Sequence, residues 1–578
     1  MPVMPVMPVM NTRRIHCRDD NSGPTNREVT LLPPVDKPMT MHRMADVPAP
    51  RRRFGGAVAV GAGILLSRLS GLVRARVFTH YIGQKGAADA FASALRIPNL
   101  LQNLFGEGVL SASFIPVYAR LRAEGRNEDA VRVARAVGTL LGLIATAIAA
   151  AGVIWARPLV EVLAPGFDAD KTELTISLVR ILFPGVALLV MSAWCLGVLN
   201  SHRKFFLSYV SPVLWNAALI VTAIVAGRRF TSKAEIVVWL AWGAVIGSAA
   251  QFLVQLPTVI AILRTLRPSL AVGDPGVRST LRAFVPVLLG RGSVQLSGYI
   301  DQVLASYLGD GIVSAMANAQ ILYLLPVSLF GMAVSAAELP EMSSVTGDDT
   351  ARAAALQQRL RGALRRVVFL VVPSAVAFIA IGGSIVSLVF QGGQFTAADA
   401  QVDWIILAGS ALGLSAGTQG RLLGSAFYAL GDPTKPLHAA LVRVGITGVT
   451  GYVFALPLRE ALGYSNMWGA FGLTATAGFA AWVEFLLLRR WLAHRIGAVP
   501  IPTKLGLGAL AAAVVAGGAG YVANYVVAPM STHVWPRAIA AIIAFGIIYL
   551  AIMTLAKVPE AADFTARFER LAKRFTRR

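Results

Sequence analysis

The chain has 578 residues, of which 56% are hydrophobic and only 14% charged, and its formal net charge is +23. That composition is typical of polytopic membrane proteins and excludes a soluble multidomain protein. The surplus Lys and Arg lie in short clusters between apolar runs, as in cytoplasmic loops, which excludes a nucleic-acid binder. Two cysteines, Cys17 and Cys195, offer neither a disulfide framework nor a metal site.

Residues 1–53 are polar and Pro-rich, begin with a threefold Met-Pro-Val repeat, and lack the apolar core of a signal peptide. They are predicted to be a disordered cytoplasmic tail, with Met41 or Met44 as alternative starts. Arg51, Arg52 and Arg53 then hold the start of the first span inside the cell.

A span needs about 20 mostly apolar residues. Fourteen runs qualify, near 54–82, 87–118, 134–156, 175–199, 206–227, 235–263, 282–308, 312–340, 364–390, 402–429, 437–457, 467–488, 505–528 and 536–556. With the N-terminus inside, the cytoplasmic loops include Arg120–Arg132, His202–Lys204, Arg264–Arg282, Arg352–Arg366 and Arg489–Lys504, all basic. The opposite loops hold Asp168, Asp170, Asp310, Asp399 and Asp403; only Arg228–Lys233 breaks the alternation. Both termini are therefore expected inside, with 557–578 a basic cytoplasmic tail.

An internal repeat organises these spans. LFGEGVLSASFIP at 104–116 recurs as LFGMAVSAAELP at 329–340, and PLVEVLAPGFDAD at 158–170 recurs as SIVSLVFQGGQFTAAD at 384–399. The offset of about 225 residues is close to six spans, an even number, so the repeats run parallel. The expected fold is all-α: two parallel six-helix lobes, 54–263 and 282–488, around a central cavity, plus two C-terminal helices at 505–556.

The stretch Ser67–Tyr118 carries charges that a lipid-facing helix would exclude: Arg68, Arg74, Arg76, Asp89, Arg96 and Glu107. On an ideal helix Asp89, Arg96, Asn103 and Glu107 fall within about 40° of one another. Two readings fit: the stripe lines a watery cavity, or the charges pair within the bundle and snorkel from its ends. The seventh span adds Arg291 and Asp301, about 80° around and 15 Å along a helix from each other, too far apart to pair directly. They either serve the same cavity or form structural ion pairs with other helices, and Asp301 is a candidate ion-coupling site. Arg421 lies in an otherwise apolar run.

No nucleophile elbow, P-loop, HExxH or CxxC is present. An enzyme is not expected, and the chain lacks the means to hydrolyse nucleotide. No cofactor or metal is expected, and any driving force would come from membrane potential, Na+ or H+.

SRxxGxxR at 67–74, DAF at 89–91, a basic residue before IPN at 96–99, and EG-x4-F-x-P at 107–116 resemble the opening of the MurJ/MviN family. Pro165-Gly166-Phe167, Pro212-x-Leu214-x-Asn216, FQGGQFTAAD at 390–399 and RLLGSAFYALGDPTKP at 421–436 extend the resemblance over about 54–495. That family comprises lipid II flippases of bacterial cell-wall synthesis, within the multidrug and oligosaccharidyl-lipid exporter superfamily. The resemblance implies an inner-membrane transporter that moves the anionic diphosphate-sugar headgroup outward by alternating access. It also implies substrate contacts at Arg68, Arg74, Asp89, Arg96, Glu107 and Arg421, with cell-wall synthases as candidate partners; Arg291, which the family pattern does not supply, is a further candidate contact, standing in for the Arg that the family carries at position 321. Two departures stand out. Gln102 replaces a usual basic residue, and Ala319-Gln320-Ile321 replaces an Ala-Asp-Arg of the eighth span. They keep three rivals open: a flippase for another polyprenyl-linked glycan, a cation-coupled drug exporter, and an inactive scaffold.

Overall fold

The computed structural model describes residues 54–105, 107–265, 267–332, 334–335, 338, 342, 349–531 and 533–566. The expected tail 1–53 and the end of the basic tail, 567–578, lie outside the described residues, as do the side chains of Glu107 and Arg291.

The first half contains α1 (Phe54–Ile82), α2 (Ala87–Phe105), α3 (Glu107–Ala123), α4 (Asn127–Ile154), α5 (Ala156–Leu163), α6 (Ala169–Ser201), α7 (Phe205–Arg229) and α8 (Lys233–Leu263). After α9 (Pro275–Ser306) come α10 (Ile312–Pro326), which runs on into the π-helical turn Val327–Met332, and α11 (Asp349–Ala380). Then follow α12 (Gly382–Phe390), α13 (Ala397–Ala411), α14 (Leu414–Ala429), α15 (Thr434–Ala455), α16 (Pro457–Ala461) and α17 (Asn466–Ile496). The chain closes with α18 (Thr503–Val527) and α19 (Val534–Leu555). Among the described residues there is no β-strand, only one isolated bridge between Gly392 and Phe395.

Among the described residues, ten helical segments are long and apolar enough to cross a membrane. The other four expected spans fall on α1, on α2 with α3, on α9, and on α13 with α14. The last three carry charges or a break, and the side chains at the start of α1 lie outside the described residues. One expectation needs correction here. The run 402–429 is split at Leu412–Gly413, where a Cβ on Gly413 would lie 2.4 Å from the Cα of Gly478 on α17.

Helix starts follow local chemistry. Asp168 caps α6 by accepting from the N–H of Lys171 at 2.9 Å, and Asp274 caps α9 just ahead of Pro275. Thr396 and Asp399 form a reciprocal capping box on α13. The repeated segments 158–170 and 384–399 thus fold alike: a short helix, a tight loop, then a capped helix.

In the first half, α7 packs on α1 and α8, and α6 packs on α4 and α8. In the second, α17 packs on α13, α14 and α15. The pair α18–α19 sits against α11, fixed by the Tyr549 hydroxyl donating to the Phe369 carbonyl at 2.6 Å. Helix α9 packs on both α3 and α15, so it bridges the two halves.

Candidate substrate cavity and the seam that closes it

Ser67, Arg68, Gly71 and Arg74 share one face of α1, following the helical period. Asn216 of α7 fixes that face by donating to the Ser70 hydroxyl at 2.8 Å. The face borders a cavity of about 350 Å³. Asn99 and Gln102 of α2, Trp215 of α7 and Gln251 of α8 line it from the first half. Ile321, Leu324 and Leu325 of α10 close it from the second.

The Arg74 guanidinium lies 4.8 Å from the centre of the Trp215 ring. That contact holds the planar fork without neutralising it. Among the described residues, no hydrogen bond or ion pair engages the guanidinium of Arg68 or of Arg74. Two cations therefore face the cavity with no counter-ion among the described residues.

Asp89 and Arg96 have different surroundings. The Asp89 carboxylate, fully buried, accepts from the N–H of Gly311 at 2.6 Å and of Ser314 at 2.8 Å. It thereby caps α10 from across the molecule, where backbone N–H groups lack partners and the helix dipole favours an anion. Arg96 donates to the Gly298 carbonyl at 2.5 Å and to Gln302 at 3.4 Å on α9, and it lies over Tyr299. The predicted polar stripe of α2 is thus real at these two positions, but it grips α9 and α10 rather than lining the cavity.

These contacts belong to a seam at one end of the molecule. Lys171 of α6 is buried among Asp310, to which it donates, Asp168 at 3.7 Å and Asp89 at 3.9 Å. The N–H of Lys171 holds the Asp168 carboxyl below its ordinary range, against the opposing effect of burial. Arg76 donates to the carbonyl of Gln391, and Gln394 donates its N–H to the His80 carbonyl at 2.8 Å. The Gly166 N–H donates to the Ser306 hydroxyl at 3.1 Å. Two glycines permit this approach. A Cβ on Gly166 would lie 2.5 Å from the Ser306 carbonyl oxygen, and Gly393, at φ +60°, would place one 2.2 Å from that of His80.

Among the described residues, one fully enclosed oxygen of Asp301 on α9 has no hydrogen-bond partner, and the positive charges acting on it are Arg96 and Arg443. Arg421 is exposed on α14, apart from the residues that line the cavity. Sequence reasoning missed Lys171 and the pair Arg443–Glu484, which joins α15 to α17 at 3.0 Å. The rule that singled out Arg421, a charge inside an apolar run, applies equally to Arg443 and Glu484. Lys171 was hidden because the run 175–199 seemed to begin after it.

Comparison with known proteins now has a geometry to refer to. The family model described as "Lipid II flippase MurJ" matches residues 78–541. The chain belongs to the MurJ family. A Lipid II flippase MurJ of Burkholderia cenocepacia is 31% identical over 442 residues, covering 75% of this chain and 83% of that protein. A probable lipid II flippase MurJ of Vibrio cholerae is 29% identical, covering 78% and 84%. Among solved structures, a lipid II flippase MurJ in an inward closed conformation matches with a TM-score of 0.71 at 20% identity, over 86% of this chain and 98% of that one. An inward-facing transporter of the MATE family matches with a TM-score of 0.59 at 17% identity, over 77% and 98%. At these identities the two structures show the fold alone. The MurJ family is one of multi-pass membrane transporters, and the apolar helices of this chain accord with that.

Proposed function

We propose that this chain carries lipid II from the cytoplasmic to the outer leaflet of the bacterial inner membrane. The observation that carries this reading is the pair of unneutralised arginines, Arg68 and Arg74, in the cavity between the halves. Lipid II presents a diphosphate joined to a sugar-peptide headgroup, and its polyprenyl tail can stay in lipid. A planar guanidinium pairs bidentately with phosphate oxygens and stays charged when desolvated. The cavity holds the head of the substrate rather than all of it. A drug exporter for cations would need an acidic cavity, and this one is cationic.

The seam supplies the closed side of an alternating-access cycle. Both termini are assigned to the cytoplasm, so the loops at 83–86, 164–168, 309–311 and 391–396 mark the outer end. Substrate enters the cavity from the inner side, the seam parts, and the headgroup leaves outward. An inside-negative potential favours this direction by about 4–5 kcal/mol per 100 mV for two net charges. Cell-wall synthases that consume the product on the outer surface are its proposed partners.

Complementation of a strain depleted of its own lipid II flippase tests the function, and restored growth is the expected result. Cell lysis despite normal membrane levels of the protein would sink the reading. For orientation, single cysteines at Lys85 and Asp170 are expected to react with an impermeant maleimide from outside. Those at Arg126 and Arg203 should react only after permeabilisation, in a background with Cys17 replaced. The opposite pattern would invert the topology.

A further inference from the structure

Asp403 lies in the second turn of α13, just past the loop that meets Arg76 and His80 across the seam. Its side chain is fully buried, and among the described residues no hydrogen bond reaches either carboxylate oxygen. The surroundings are dry: α13 packs into the core that holds Phe390, Phe395, Ala400 and Leu407. The amide of Asn318 on α10, itself 7% exposed, is the polar group turned toward Asp403.

The elements packed against α13 bring no compensating cation. Helices α10 and α12 contain no Asp, Glu, Lys, Arg or His. The basic residues of α11 lie at its far end, because α11 meets Trp404 through the carbonyls of Phe378 and Ile379. On α17 the first charge is Glu484, beyond the Thr474 hydroxyl that donates to the Ile406 carbonyl. Among the described residues, the charge that acts on Asp403 is another acid, Asp399, and one Asp399 oxygen is already taken by the capping box.

The buried acids Asp89 and Asp301 differ in this respect. Asp89 has two backbone N–H donors and Lys171, and Asp301 has two arginines. A buried carboxylate that has no cation beside it, and only one neutral amide turned toward it, is stabilised in its neutral form. Among the described residues, no third His, Cys, Asp or Glu joins Asp399 and Asp403 to hold a metal ion.

We infer that Asp403 is a proton-binding site of the second half, loaded while the seam is shut and able to exchange when the seam opens. When the outer end parts, water reaches the α10–α13 contact and the carboxyl equilibrates with the outer solution. There hydronium gives one proton to the carboxylate, one O–H bond forms, and water is left behind. Reclosure buries the neutral acid. The closed state therefore forms more readily when the outside is acidic, which ties the transport cycle to a proton gradient. This coupling rests on the flippase reading, whereas the proton site itself does not.

The test has two arms, both on the full-length protein. In detergent at neutral pH, infrared spectra of wild type and Asp403→Asn are compared for the carbonyl stretch of a protonated carboxyl. That component is expected in wild type and lost in Asp403→Asn, and an unchanged spectrum overturns the proton site. Asn fits the same space without charge, so the variant is expected to fold, and thermal melting checks this. In proteoliposomes with fluorescent lipid II, acid on the outer face is expected to change the wild-type flipping rate severalfold, and Asp403→Asn should flip at one rate whatever the gradient. A wild-type rate that follows Na+ and ignores pH overturns the coupling, as does an undiminished pH response in Asp403→Asn. If no lipid II moves in any sample while the infrared component depends on Asp403, the flippase reading falls and the proton site stands.

Discussion

Asp89→Ala is expected to abolish transport while the protein still reaches the membrane. The substitution strips two backbone donors, Gly311 and Ser314, of their acceptor and leaves Lys171 with one acid fewer. Hydrogen bonds to a charged group contribute about 1.5–3 kcal/mol each. Losing the pair shifts the closed-to-open balance of the seam by roughly 3 kcal/mol, on the order of a hundredfold. The helices themselves keep their cores, because Asp89 contacts α10 only at its first turn. Hydrogen exchange is expected to rise at 83–90 and 309–316, with little change in α4 or α8. Asp89→Asn retains one acceptor and should fall between wild type and Asp89→Ala. Normal growth with Asp89→Ala, or exchange that rises equally throughout the molecule, would remove Asp89 from the seam.

Much of the architecture was legible because it follows from apolar run length and loop charge. Ten of the expected spans needed nothing more. Three of the remaining segments, α2 with α3, α9, and α13 with α14, depart from that pattern for a physical reason. They bear charges or a tight backbone approach that a lipid-facing helix lacks. Sequence alone found Arg68 and Arg74 because a charge in an apolar run is costly. It did not separate them from Asp89 and Arg96, since the same cost applies whether a charge meets solvent or a partner. The partners of Asp89 are backbone N–H groups more than two hundred residues away, and no side-chain pattern announces them. The loss of a cation at Ile321 was visible, and the structure gives it meaning, since Ile321 lines the same cavity as Arg74 from the second half. Arg291, offered as its replacement, has its side chain outside the described residues.

The contrast between the two α2 charges and the two α1 charges leads to the sharpest test of the substrate site. Asp89 and Arg96 are already engaged by protein groups, so their replacement acts through the seam. Among the described residues, the Trp215 ring alone engages Arg74, so its charge is available to a phosphate. Arg74→Ala is therefore expected to abolish complementation with no change in membrane abundance or in exchange at 309–316. Truncating one side of a desolvated charge pair costs about 2–5 kcal/mol, a loss of roughly thirtyfold or more in substrate binding. Arg74→Lys keeps the charge but loses the planar fork and the stacked geometry, and should restore only part of the activity. Ile321→Arg, placed in the Arg74→Ala background, sets a cation on the opposite wall of the same cavity. Partial recovery there would show that the cavity needs positive charge rather than Arg74 in particular. Binding of labelled lipid II to the purified variants separates this from a folding defect. If Arg74→Ala binds and transports as wild type does, the cationic cavity is not the path of the headgroup.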